Sequence, residues 1–183
     1  MTYLIAILSV MGAHLLTNVD NAAVLLASGT VAGRRVALLA FVGVQFAVLF
    51  GAGLIGDALA TAADSALRWL GLVPIALGLR AVIARRASTS LSTGSGLLAN
   101  AAIFASLSTD SLAILLVLFA DSTEIFDTAI LLGSAASILA IAGLVSLLGQ
   151  RLGSLANRLE PLAPFAMIAA GIYVLLDTGT DIG

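Results

Sequence analysis

The sequence predicts an all-α integral membrane protein: six transmembrane helices forming two inverted three-helix repeats, with both termini outside. Three observations predict it. The chain of 183 residues is 61% hydrophobic and only 10% charged, with a mean hydropathy of +1.16. A soluble domain of this length needs more charged surface. Apolar stretches of about 20 residues, the length that crosses a bilayer as a helix, recur along the chain. The two halves also align without a gap, Asp20 meeting Asp110.

The spans are expected at about 3–28, 36–56, 66–84, 97–119, 127–149 and 161–177. The start, MTYLIAILSV, lacks the basic region of a signal peptide and reads as the first span. Pro74 and Pro164 are expected to kink or begin spans three and six. Residues 1–86 then form the first repeat and 97–183 the second. Residues 87–96, the end of RRASTSLSTGSG (85–96), form a cytoplasmic linker rich in Ser, Thr and Gly.

Orientation follows from the arginines, because cytoplasmic loops collect positive charge. With the N-terminus outside, Arg34, Arg35, Arg80, Arg85, Arg86, Arg151 and Arg158 all fall inside, and Arg68 alone falls opposite. Asp57, Asp64, Asp121, Glu124, Asp127, Asp177 and Asp181 fall on the outer side. A net charge of −2 with no basic patch excludes a nucleic-acid partner, and the absence of cysteine excludes disulfides and thiolate metal sites.

In the 90-residue register Gly43 meets Gly133, Gly53 meets Gly143, Pro74 meets Pro164 and Arg68 meets Arg158. Three spans per half make the second half run opposite to the first. Inverted repeats of this kind are common in secondary transporters, which bind substrate near the midplane between the halves, often at interrupted helices. The glycines are expected to let helices pack closely.

The polar residues inside the spans locate the candidate site. Asp20 lies within LLTNVDNAAVLLAS (15–28) and Asp110 within STDSLAILL (108–116). An ionisable group at such depth costs about 2.5–3.5 kcal/mol even on the gentlest insertion scale, and usually marks an ion path. The plainer role of such an aspartate is to hold two helices together by hydrogen bonds. Around Asp20 lie Thr17, Asn18 and Asn21; around Asp110 lie Ser106, Ser108, Thr109 and Ser111. Their oxygens suit hard cations. Asn18 and Asn21 share a helical face from which Asp20 is turned, so the helix is expected to loosen near 17–21 and free backbone carbonyls. His14 and Met11 continue the Asn18 face. His14 is either a softer ligand or a hydrogen-bonded packing residue, whereas Met11 reads as core. Asn100 and Gln45 are candidates for the pathway lining, with helix–helix hydrogen bonding the equal alternative.

TNVDNAAVLLASG, STDSLAILLVLFAD and LGLVPIALGLRAVI together resemble the bacterial cadmium-resistance transporter family, within the LysE-type exporter superfamily. The resemblance covers nearly the whole chain. It implies six spans in two inverted halves, a multi-pass protein of the bacterial cytoplasmic membrane, and divalent-cation handling by acidic and amide residues of spans one and four. That role carries onto Asn18, Asp20 and Asn21. In span four the family often shows an Asp-Asn pair where this chain has Asp110-Ser111. The function expected is export of a divalent metal cation, cadmium or a related ion, by proton antiport, with no resident cofactor. The expected partners are the cation, protons and the lipid bilayer, with a homodimer left open. The alternative is an exporter of amino acids or another small organic solute, against which stands the lack of an arginine deep in a span. An intramembrane aspartyl protease is a weaker rival, because the glycine pattern of that class is missing around Asp110, and the protein is expected not to be an enzyme.

Overall fold

The computed structural model describes residues 2–27, 31–62, 67–83, 96–122, 124–148 and 160–176, and these are helical throughout apart from short turns. The helices are α1 (Thr2–Thr17), α2 (Val19–Ala27), α3 (Val31–Ala62), α4 (Leu72–Ile83), α5 (Leu97–Leu107), α6 (Thr109–Ala120), α7 (Glu124–Leu148) and α8 (Ala163–Leu175). Single 3-10 turns, Leu67–Gly71 and Glu160–Leu162, lead into α4 and α8. The linker residues 87–95, and Arg85, Arg86, Arg151, Arg158, Asp64, Asp177 and Asp181, lie outside the described residues.

Two stretches are long and apolar enough to cross a membrane unbroken, Gly33–Thr61 in α3 and Phe126–Leu147 in α7. Each of the bent pairs α1/α2 and α5/α6 passes the same test when taken together, which gives up to four spans. α3 is 32 residues long, or about 48 Å at 1.5 Å per residue. It therefore extends well past the expected 36–56 and carries Arg34, Arg35 and Asp57 near its ends. The helices at the third and sixth expected spans are short, with 12 residues in α4 and 13 in α8. Pro74 and Pro164 sit in their first turns, where the missing N–H costs no helical bond, so these prolines start helices and do not kink them.

The side chains are distributed inside out. Leu54, Leu98 and Leu147 are 75%, 85% and 84% exposed, whereas Asn18, Asn21, Gln45 and Ser111 are fully buried. This distribution suits a surface facing hydrocarbon, and it makes the chain compatible with a membrane protein. Behind the outer surface a core of Leu25, Phe41, Leu49, Phe104, Leu115, Phe119 and Ile138 joins α2, α3, α5, α6 and α7. Phe41 and Phe104 meet edge to face with centroids 5.6 Å apart, a favoured aromatic arrangement.

Three helix pairings set the architecture. α3 runs parallel to α5 and α6: Phe41 meets Phe104, Gln45 meets Ser108, and Gly56 meets Phe119 and Ala120. α1 runs parallel to α7, with Gly133 against Ile7 and Met11, and His14 against Ser137. α4 and the 3-10 turn before it run antiparallel to α8, with Gly71 of the turn on Gly171 and Gly78 on Pro164. A Cβ at Gly171 would lie 2.4 Å from the Gly71 carbonyl oxygen, and one at Gly133 would lie 2.6 Å from that of Ile7. These backbones touch because no side chain intervenes, as at many intramembrane helix contacts. Gly51 has open space where a Cβ would be, and so do Gly43 and Gly143, which were expected in the same role. The 90-residue register located them without regard to which helix face each occupies.

Gly171→Ala is therefore expected to destabilise the protein by about 1–3 kcal/mol through overpacking against α4. Gly51→Ala is expected to be neutral or slightly stabilising. Reversible unfolding in detergent, compared for the two variants, measures both.

Candidate functional site

The site forms where two helices break. α1 gives way to α2 at Asn18 with a bend of 53°, and α5 to α6 at Ser108 with a bend of 58°. These positions are equivalent in the 90-residue register. The local cause is the same at both. Asn18 Nδ2 donates to the His14 carbonyl (2.9 Å) and Ser108 Oγ donates to that of Phe104 (2.6 Å), each reaching back four residues. Thr17 Oγ1 adds a second donor to His14 O at 3.2 Å. Such back-bonding competes with the helical ladder and bends helices. The chain restarts at once, because the carbonyls of Asn18 and Ser108 accept from the N–H groups of Ala22 and Leu112. Loosening expected near 17–21 is thus a discrete break at Asn18. The break in the expected span 97–119 was not anticipated.

Both aspartates owe their setting to the breaks. Asp20 lies in the first turn of α2 and Asp110 in the first turn of α6. A carboxylate there faces the positive end of a helix dipole, a stabilising position. Asp20 Oδ1 accepts the Asn21 N–H at 2.8 Å. Both side chains are half-buried. Arg80, in the last turn of α4, is close enough to Asp110 to act on its charge.

A buried polar network fills the space between the breaks. Asn18 Nδ2 also donates to Ser111 Oγ at 3.0 Å. Asn18 Oδ1 accepts from Asn21 Nδ2 (2.8 Å) and from Gln45 Nε2, and Gln45 Nε2 also reaches Ser108 Oγ at 2.9 Å. Ser111 Oγ contacts Thr17 Oγ1 at 3.4 Å. His14 lies at the edge, its Nδ1 3.1 Å from Ser137 Oγ and both ring nitrogens 3.4–3.5 Å from Asn18 Nδ2. Five helices thus contribute, and the breaks in both halves are tied to α3 through Gln45.

Of the residues singled out in the sequence, His14, Thr17, Asn18, Asn21, Gln45, Ser108 and Ser111 come together in this network. Asp20 and Asp110 flank it. Asn100 lies away from it, with Nδ2 donating to Gly96 O at 2.9 Å at the start of α5. Ser137 went unnoticed; its signal was the pair Ser134 and Ser137, spaced three apart in an apolar helix and both buried. Among the described residues no three His, Asp or Glu side chains gather as a metal-binding group. A cation here would be held by amide and hydroxyl oxygens with the aspartates beside them. Two acceptors await a partner: Asn21 Oδ1 and Gln45 Oε1 are buried and make no hydrogen bond.

Fold and site together define a helical bundle with an apolar outside and a polar centre built around two interrupted helices. No protein-family description, curated protein or solved structure matches the chain.

Asn18→Leu would strip Asn21 Nδ2 of its acceptor and Gln45 Nε2 of one of two. It is expected to cost about 2 kcal/mol, combining a lost interhelical bond with stranded donors. Ser146→Ala, at an exposed hydroxyl that bonds only within its own helix, is expected to change stability by less than about 0.5 kcal/mol. Equilibrium unfolding of both variants tests this.

Proposed function

We propose that the protein is a secondary transporter that exports a divalent metal cation across the bacterial cytoplasmic membrane. The observation that carries this reading is the meeting of two broken helices, each with an aspartate in its first turn, at a buried cluster of oxygen-bearing side chains. Interrupted helices facing each other at mid-depth are a recurrent construction of ion-coupled transporters. The resemblance of the span-one and span-four motifs to the cadmium-resistance transporters supports the choice of cargo.

The proposed topology has six spans, with both termini outside and the two halves inverted. The helix directions agree with it. In a chain that crosses six times, spans one and five run the same way, as do two and four, while three and six oppose each other. The pairs α1 with α7, α3 with α5/α6, and α4 with α8 have those senses. The 3-10 turn before α4 lengthens that helix to about 28 Å, using 2.0 Å per 3-10 residue and 1.5 Å per α residue. That is close to the roughly 30 Å of hydrocarbon to be crossed.

In the proposed cycle Asp20 and Asp110 supply the negative charge, and Thr17, Asn18, Asn21, Ser108 and Ser111 line the site. A cation entering from the cytoplasm displaces one proton from each carboxylate. Movement of the halves about the α4–α8 contact opens the site outward, and two protons return in exchange. The exchange is electroneutral. Moving a double charge outward alone would cost about 4.6 kcal/mol per 100 mV, at about 2.3 per charge, and two returning protons cancel that term.

Asp20→Asn and Asp110→Asn are each expected to lower proton-driven flux of cadmium, zinc or manganese into inside-out proteoliposomes at least tenfold. Undiminished flux in both variants would sink this reading. Amino-acid flux in place of metal flux would favour export of an organic solute.

A further inference from the structure

We infer that the buried amide oxygens of Asn21 and Gln45 form a cation site that uses neither aspartate, neutral in charge and suited to a small monovalent ion of the sodium type. Asn21 and Gln45 are fully buried, and both point their amide nitrogens at the same atom, Asn18 Oδ1. Their own oxygens, Oδ1 and Oε1, sit on those same carboxamides and are left without a hydrogen bond. Carboxamides from α2 and α3 therefore meet at Asn18 with both of their own oxygens buried and unsatisfied. An unsatisfied buried acceptor costs about 1–3 kcal/mol, and a bound cation relieves it.

The charge of the ion follows from the ligands. The side chains bonded to the carboxamides of this cluster are hydroxyls and an imidazole, Ser108 and Ser111 from α6 and its break and His14 from α1, while the Asp20 carboxylate bonds the Asn21 backbone N–H. Desolvation cost rises with the square of the charge, so a divalent ion would face about four times the penalty of a monovalent one with no carboxylate among its ligands. A metal-binding group of three or more acidic or imidazole side chains is lacking among the described residues. Amide and hydroxyl oxygens are hard donors that replace the hydration shell of a small hard cation. The Asp20 and Asp110 carboxylates remain for the divalent cargo. Binding of the monovalent ion does not rest on the transport reading.

Purified protein in detergent is titrated with 22Na+ in a scintillation-proximity assay, with choline as the inert cation. Saturable binding is expected, competed by lithium and at least tenfold more weakly by potassium. Asn21→Ala and Gln45→Met are expected to weaken it at least tenfold, whereas Asp20→Asn and Asp110→Asn retain it while losing metal flux. Absence of saturable sodium binding to the unaltered protein overturns the site, whatever the variants do. Equal affinity for potassium, or loss of binding in the two aspartate variants alone, also overturns it. Sodium binding without any divalent flux leaves this site standing and removes the transport reading; flux with no sodium binding does the reverse.

Discussion

A single carboxamide holds the centre of this protein together. Asn18 sits where α1 stops, and its Nδ2 replaces part of the interrupted helical ladder by bonding to the His14 carbonyl. The same nitrogen reaches across to Ser111 on α6, and the oxygen of the same group collects donors from α2 and α3. In an apolar interior each backbone or side-chain polar group needs a partner, and a broken helix leaves several without one. Asn18 meets local and long-range needs at once. That lets a helix bend by 53° in surroundings where an unsatisfied break would be prohibitive. The bend in turn places Asp20 at a helix start, and so makes a mid-span carboxylate tolerable.

The rest of the bundle supports this centre by a different kind of force. Outside hydrocarbon offers no hydrophobic gain for helix association, so close contact has to come from packing. The α4–α8 pair is backbone on backbone at Gly71 and Gly171, and α1 meets α7 at Gly133 in the same manner. α3 combines both modes: aromatic packing of Phe41 on Phe104, a polar bond from Gln45, and the Gly56 contact with Phe119, in succession along one face. Because α3 bonds to both breaks through Gln45, a rearrangement of either broken helix must be transmitted to it. The α4–α8 contact stands apart from these bonds as a packing contact of small residues.

The apolar helices and the polar positions were legible in the sequence because both are composition signals. Long hydrophobic runs must become buried or lipid-facing helices, and amides and carboxylates inside them must face inward. Ser108 is the mate of Asn18 in the 90-residue register, yet a break was expected only near Asn18. Two things stayed hidden. Helix breaks arise from side chains bonding back to their own backbone, and Ser and Asn do so only in some contexts. The cue was Asn18-Val-Asp20 and Ser108-Thr-Asp110, a small polar residue two before an acid, which is the grammar of a helix start. The close-packing glycines were hidden for a related reason. Periodicity along one helix says nothing of which neighbour it meets, so Gly71, Gly78 and Gly171 were passed over while Gly43 and Gly143 were named.

The two halves share a register but divide the chemistry unequally, and packing explains why. Asn18 is matched by Ser108, Asn21 by Ser111, Gln45 by Ala135 and His14 by Phe104. All long polar side chains come from the first half, and the second half supplies hydroxyls or apolar groups. A shared centre cannot hold two sets of amides and imidazoles, because their combined volume would push the helices apart and strand polar groups. A serine can bond back to its own helix, as Ser108 does to Phe104, and still accept from Gln45 with the same oxygen. Short hydroxyls on one side therefore let long amides on the other reach across and still be satisfied. Only the aspartates are kept in both halves, and they stand beside the centre, where two can fit. The division implies distinct tasks: amides and hydroxyls shape a neutral interior, while the paired carboxylates hold the charge at its edge.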